Sequence, residues 1–135
     1  MRRYLLDTGI AGDLINNRNN IRQKVGELAA LGNRIGICTP VLAEILGGVE
    51  YSSSRERNQE RVDRALKSLL LWPFDEAAAE EYGRIFAVLR RKGRPMQQID
   101  IQIAAIAISL GRCTVVTKDS DFFAIPGLDL ENWSS

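Results

Sequence analysis

The sequence predicts an α/β fold, with a parallel sheet of about four to five strands covered by helices on both faces. Short apolar runs alternate with helical patterns along the whole chain, the arrangement that gives a sheet buried on both sides. The runs are apolar without strict alternation, so neither face of their strands is expected to meet water. At 135 residues the chain is read as one domain, 1–135, long enough to bury a core without disulfides.

The elements follow in order. "RYLLD" (3–7) reads as the first strand, and "AGDLINN" as a short helix after it. "IRQKVGELAAL" puts Ile21, Val25, Leu28 and Leu31 on one helical face. "RIGIC" (34–38) is the second strand. Thr39 before Pro40 signals an N-cap and first turn, opening a helix through "VLAEILGGV". Residues 53–71 are polar early and apolar late, a helix leading towards the strand run "LLWPF" (70–74). Asp75 caps "EAAAEEYGRIFAVLRRK", acidic in its first turn and basic in its last, as the helix dipole favours. "QIDIQIAAIAISLG" is apolar almost all round and stops at Gly111, so it is the expected central helix. "CTVVT" (113–117) and a weaker "LDLEN" (128–132) complete the strands.

Composition narrows the chemistry. The chain carries a net charge of +1 and no histidine, which removes Ser-His-Asp and Cys-His catalysis and His-ligated zinc together. Catalysis here must rest on carboxylates, Lys, hydroxyls or a metal. Cys38 and Cys113 lie in apolar surroundings and are expected to be reduced core residues of a cytoplasmic protein. No run approaches the ~20 apolar residues of a membrane span, and no signal peptide is expected before the first strand.

The residues after the first strand, Asp7-Thr8-Gly9, spell the motif of aspartic proteases. Those of the retroviral type are small all-β dimers, and a largely helical chain does not suit them. The other acids explain Asp7 better. Ligands of open α/β sheets bind beyond the carboxyl ends of the strands. Asp7 ends the first strand, Glu44 lies in the first turns after the second, and Asp119 and Asp121 follow "CTVVT". Asp100 stands between Ile99 and Ile101 at the start of the most apolar helix. Alone it reads equally well as an acid complementing the helix dipole. Together, four convergent carboxylates without histidine describe an oxygen-only site for a hard cation, Mg²⁺ or Mn²⁺.

In this order, "YLLDT", "TPVLAEIL", "IDIQIAAIAISLG" and "VVTKDSDFFAIPGLDLENW" resemble the motifs of PIN-domain ribonucleases, in particular the VapC-type toxins of toxin–antitoxin pairs. The resemblance covers essentially the whole chain. It implies a PIN-like three-layer sandwich and a metal-dependent endoribonuclease that hydrolyses RNA phosphodiester bonds. By position, Asp7 and Asp100 look like the main metal ligands, and Asp119 like a third acid on the metal or an outer water. Glu44 looks like the acid that orients or activates the attacking water. Asp121 shares the role of Asp119, and Thr8 and Thr117 look like hydroxyls steadying the ligands. The family also implies a homodimer, with "LLL" (69–71) and "YGRIF" (82–86) as its surface, and an antitoxin whose tail occupies the acidic groove. Gly9 departs from the Asn-type residue of many VapC toxins. "TKDSDF" is the compact general PIN form, which leaves open whether Asp119 or Asp121 matters more.

"RRKGR" (90–94) has two readings. Its charges complement a helix C-terminus, and Arg90, Arg91 and Arg94 also lie close enough to Asp100 in sequence to hold RNA phosphates. Two other functions fit the same acids less well: an inactive PIN-like RNA-binding or scaffold module, and a receiver-like phosphoacceptor domain. The receiver would need an acceptor Asp after its central strand, where "LLWPF" offers only the helix-capping Asp75.

Overall fold

The computed structural model describes residues 1–133. Five strands, β1 (Arg3–Leu6), β2 (Arg34–Cys38), β3 (Leu70–Trp72), β4 (Cys113–Val116) and β5 (Asp129–Glu131), form one sheet in the order β3-β2-β1-β4-β5. Every pairing is parallel. The helices are α1 (Thr8–Ile15), α2 (Ile21–Ala30), α3 (Thr39–Tyr51), α4 (Arg55–Leu66), α5 (Glu76–Arg91) and α6 (Gln98–Leu110), with a 3₁₀ turn at Ser120–Ala124. Right-handed crossovers then put α1–α4, made while the sheet grows outwards from β1, on one face. The return from β3 to β4 puts α5 and α6 on the other. This is the three-layer sandwich that the sequence predicts, and the weak fifth run is a true strand.

The core is continuous through the layers. Leu5 and Leu6 of β1, Ile37 of β2 and Val115 and Val116 of β4 are fully or almost fully buried. Onto them packs α6, whose Ile101, Ile103, Ala104, Ala105, Ile106 and Ala107 are all buried. Burial of each large aliphatic side chain contributes about 1.5–3 kcal/mol. Gly36 is required at the β2–β3 contact: a Cβ there would stand 2.5 Å from the Leu70 carbonyl oxygen and 2.9 Å from the Trp72 ring. Both cysteines are free and buried, and Trp133 packs on Tyr4 with ring centroids 5.5 Å apart. No helix among the described residues is long and apolar enough to cross a membrane.

Three boundaries differ from the sequence reading. The first helix begins at Thr8 rather than Ala11, because Asp7 Oδ1 accepts the Ile10 backbone N–H at 2.9 Å and caps it. The helix after Ser53 ends at Leu66, since Leu70–Trp72 pair with Gly36–Cys38 as a strand. Cys38 rather than Thr39 holds the N-cap position of α3. The Thr39 hydroxyl instead accepts the Phe74 N–H at 3.1 Å, tying the chain beyond β3 to the start of α3.

Candidate active site

The strand order reverses between β1 and β4, and a parallel sheet opens a crevice at the carboxyl ends of such a pair. The Asp7 N–H donates to the Val116 carbonyl at 3.1 Å, holding the two strand ends side by side at that point. Asp7 leaves β1 there, Thr117 and Asp119 leave β4, and Glu44 stands on the exposed side of α3 beyond β2. Asp100 arrives from the opposite direction. Because α6 runs back against the strands, its first turn, which holds Asp100, lies at their carboxyl edge.

Electrostatics shows which acids meet. Partial burial, then the charges of Asp119, Asp7, Glu44 and Asp121, push the Asp100 carboxyl up to about 6. The charges of four of the predicted acids are thus felt at the fifth, Asp100. Asp7 is also raised, chiefly by burial and further by Asp119, against the lowering effect of hydrogen bonds from Thr117 and from the Ile10 N–H. Asp119 is the N-cap of the 3₁₀ turn, its Oδ1 accepting the Asp121 N–H at 2.9 Å.

Thr117 joins these groups. It is buried, its hydroxyl bonds the Asp7 carboxylate, and the same oxygen accepts the Asp119 N–H at 2.9 Å. One hydroxyl thus ties the carboxyl ends of β1 and β4 to each other. Thr8 is placed differently. It lines a cleft of about 270 Å³ with Ile45 of α3 and Val62 of α4. Gly9 is not demanded by space, because a Cβ there would make an ordinary 3.7 Å contact with Asp7 Oδ1.

The donors fit a hard divalent ion chemically: they are all carboxylate oxygens, and they accumulate negative charge that only a cation or a proton relieves. Among the described residues, no three acids are already drawn together tightly enough to enclose an ion. Binding one would require the side chains to close in.

The basic cluster divides. Arg94 Nη2 bonds Asp121 Oδ1 at 3.1 Å at the rim of the acids, and Lys92 Nζ reaches the Ala124 carbonyl at 3.4 Å. Arg90 instead lies over the Phe86 ring, 5.1 Å from its centroid, and Arg91 is exposed on α5. Only Arg94 of the three is brought to the acids by a direct contact.

Two residues near the site escaped the sequence reading. Asp13 of α1 is buried, and its Oδ2 takes Lys118 Nζ at 3.0 Å and Asn19 Nδ2 at 3.1 Å. Burial works to raise its carboxyl, but the bonds from Asn19 and Lys118 and the charges of Lys118 and Arg18 win and hold it below the usual range. The signal was present: Asp13 shares the inward face of α1 with Ile10, Ala11 and Leu14. Phe123 is the second, 79% exposed and one turn beyond Asp119.

Comparison with known proteins agrees with this fold. The PIN domain profile matches residues 4–128. Ribonuclease VapC2 of Rickettsia felis is 35% identical over 130 residues, 96% of this chain and 97% of the relative. The tRNA(fMet)-specific endonuclease VapC of Shigella flexneri is 31% identical over 135 residues, 99% of this chain and 100% of the relative. The crystal structure of VapBC2 from Rickettsia felis, bound to a DNA fragment from its promoter, superposes with a TM-score of 0.91 at 34% identity, over 97% of this chain and 98% of that one. With its acids gathered at the β1–β4 crevice of a five-stranded parallel sheet, this chain belongs to the PIN-domain family, in its VapC-type toxin branch.

Proposed function

We propose that this protein is a metal-dependent endoribonuclease, the toxin of a toxin–antitoxin pair, that hydrolyses RNA phosphodiester bonds in the cytoplasm. The observation that carries the reading is the meeting of Asp7, Glu44, Asp119 and Asp121 on Asp100, whose carboxyl is raised to about 6. The names of the relatives, a ribonuclease and a tRNA endonuclease, supply the substrate class.

Asp7, Asp100 and Asp119 would hold a Mg²⁺ or Mn²⁺ ion, which when bound polarises the phosphoryl oxygen and lowers the pKa of its water. Asp7 keeps one oxygen on the α1 N-terminus, and its other oxygen would be the one offered to the ion. Thr117 holds Asp7 and the Asp119 backbone in register. Glu44 orients the attacking water and takes its proton as the water oxygen forms a bond to phosphorus. The opposite P–O bond breaks in line, and the leaving oxygen is protonated by solvent. Arg94 holds a neighbouring phosphate when it leaves Asp121, with Arg90 and Arg91 extending that basic side.

Two partners accompany this reading. The VapBC2 complex supports an antitoxin partner, and its tail would enter the acidic groove. A homodimer would use the edge strand β3, where Leu70 and Leu71 are exposed, and the adjoining stack of Tyr82 on Phe86. The decisive experiment is cleavage of single-stranded RNA by purified protein. Mg²⁺ or Mn²⁺ should be required, EDTA should stop the reaction, and Asp7→Asn should abolish it. Cleavage that persists in EDTA or in Asp7→Asn overturns the mechanism.

A further inference from the structure

The 3₁₀ turn after Asp119 is held from below and presents one aromatic ring above. Phe122 and Ile125, three residues apart and so on one side of such a turn, are 1% and 3% exposed. Asp119 caps the turn through the Asp121 N–H. Between the two anchors Phe123 faces outwards, 79% exposed, on a turn held by two buried side chains and a cap. A single exposed Phe needs no explanation by itself. Its position does.

Phe123 forms one wall of a groove of about 290 Å³. The groove runs from Thr117 and Asp119, members of the acid site, to Leu130 on β5, with Lys118 on its border. Of the five acids, Asp119 is the one that lines it, so the groove begins at one edge of the site. Its character is mixed: an aromatic face and the aliphatic Leu130, edged by the polar Thr117, Ser120 and Asn132, the cation Lys118 and the acids Asp119 and Glu131. A planar heterocycle with an apolar face and a hydrogen-bonding rim suits such a lining. A purely aliphatic side chain would desolvate the polar edge with no return.

We propose that this groove seats one unpaired nucleobase of the RNA, stacked on Phe123, so that its own phosphodiester lies over the acids. The inference rests on the ribonuclease reading above and deepens it. A ring fixed on the turn that carries Asp119 would set which bond of a flexible strand is cut. Stacking on an aromatic tolerates any base, so selectivity between bases would come from the polar rim.

The test is kinetic, on short single-stranded RNAs, with wild type, Phe123→Ala and Phe123→Trp. Phe123→Ala should lower kcat/KM about 5- to 150-fold, the range of one base–aromatic stack. Phe123→Trp should stay near wild type. Removing bases one nucleotide at a time should reveal one position where the abasic substrate costs wild type a similar factor and costs Phe123→Ala nothing further. That non-additivity is the signature of contact, which a structural role would not give. If Phe123→Ala cleaves every substrate like wild type, or the two losses simply multiply at every position, the groove holds no base. If Phe123→Ala cleaves normally but escapes neutralisation by the protein encoded beside it, the groove is an antitoxin contact and the proposal is wrong. A wild type that cuts no RNA removes the ribonuclease reading itself, whereas an active enzyme indifferent to residue 123 removes only the base subsite.

Discussion

Asp13 and Asp100 are both acids set among apolar helix neighbours, and their surroundings treat charge in opposite ways. Around Asp13 the protein supplies its own compensation, the Lys118 ammonium and the Asn19 amide, and the carboxyl is held down as an ion. Around Asp100 it supplies burial and four more acids, and the carboxyl is pushed up to about 6. The first arrangement is complete within the chain and ties α1 to the end of β4. The second is incomplete within the chain and is relieved by a proton or by a cation from outside. Location in a helix does not separate a structural acid from a functional one; the sign of the neighbouring charge does.

Activity should separate the two most widely. Asp100→Asn should lose more than the roughly 10–100-fold that removal of an outer partner of a metal site costs. Asp13→Asn, measured on the same RNA, should remain within about tenfold of wild type. Equal losses would mean that the ion pair belongs to the chemistry and that the contrast is false.

Stability should rank them the other way. In EDTA, Asp100→Asn relieves repulsion and should melt at or above wild type. Lys118→Met strands the buried Asp13 charge. Breaking a buried pair costs about 3–5 kcal/mol. Lys118 is 46% exposed and Asn19 remains, so about 1–2 kcal/mol is expected, a fall of roughly 3–10 °C. Adding Mg²⁺ or Mn²⁺ at ten times its dissociation constant should then raise wild type by about 1.4 kcal/mol, roughly 3–5 °C, and move Asp100→Asn far less. If Asp100→Asn melts well below wild type in EDTA and responds equally to metal, Asp100 is a structural helix acid.

A further test is the pH dependence of the metal-free protein. Folded Asp100 keeps its proton up to about pH 6, whereas unfolded it releases it near about 3.9. Its contribution to stability is therefore present at low pH and lost as pH rises through about 6. Asp13, held down, contributes above about pH 4 and loses that contribution as pH falls through its lower folded value. Melting curves between pH 4.5 and 6.5, roughly the window these values bracket, should show a downward slope in wild type that Asp100→Asn flattens. An unchanged slope would place the crowding elsewhere.

Much of this was readable in the chain. Strand runs such as "RIGIC" and "CTVVT" could only be buried parallel strands, and the edge rule then carried Asp7, Glu44 and Asp119 to one side. Asp100 stood out as a carboxylate at the start of the most apolar helix, and the structure places that first turn at the same edge because α6 runs back against the strands. The limits of α1 and of the helix after Ser53 were less legible. At α1 a side chain became a cap, and at Leu70–Trp72 pairing with β2 outweighed a continuous apolar pattern.

By itself the sequence determined the class of fold, the order of its elements and the oxygen-only character of the site, because these depend on local periodicity, on chain order and on which residue types are present. Only the tertiary structure decided that Lys118 would neutralise Asp13, that Thr117 would bridge Asp7 and Asp119, that Arg94 and not Arg90 would reach the acids, and that Phe123 would face outwards beside them. Those outcomes depend on distances of a few ångströms between residues far apart in the chain. A difference of one such distance decides whether a buried charge meets a cation or another anion, and a linear pattern holds no information on it.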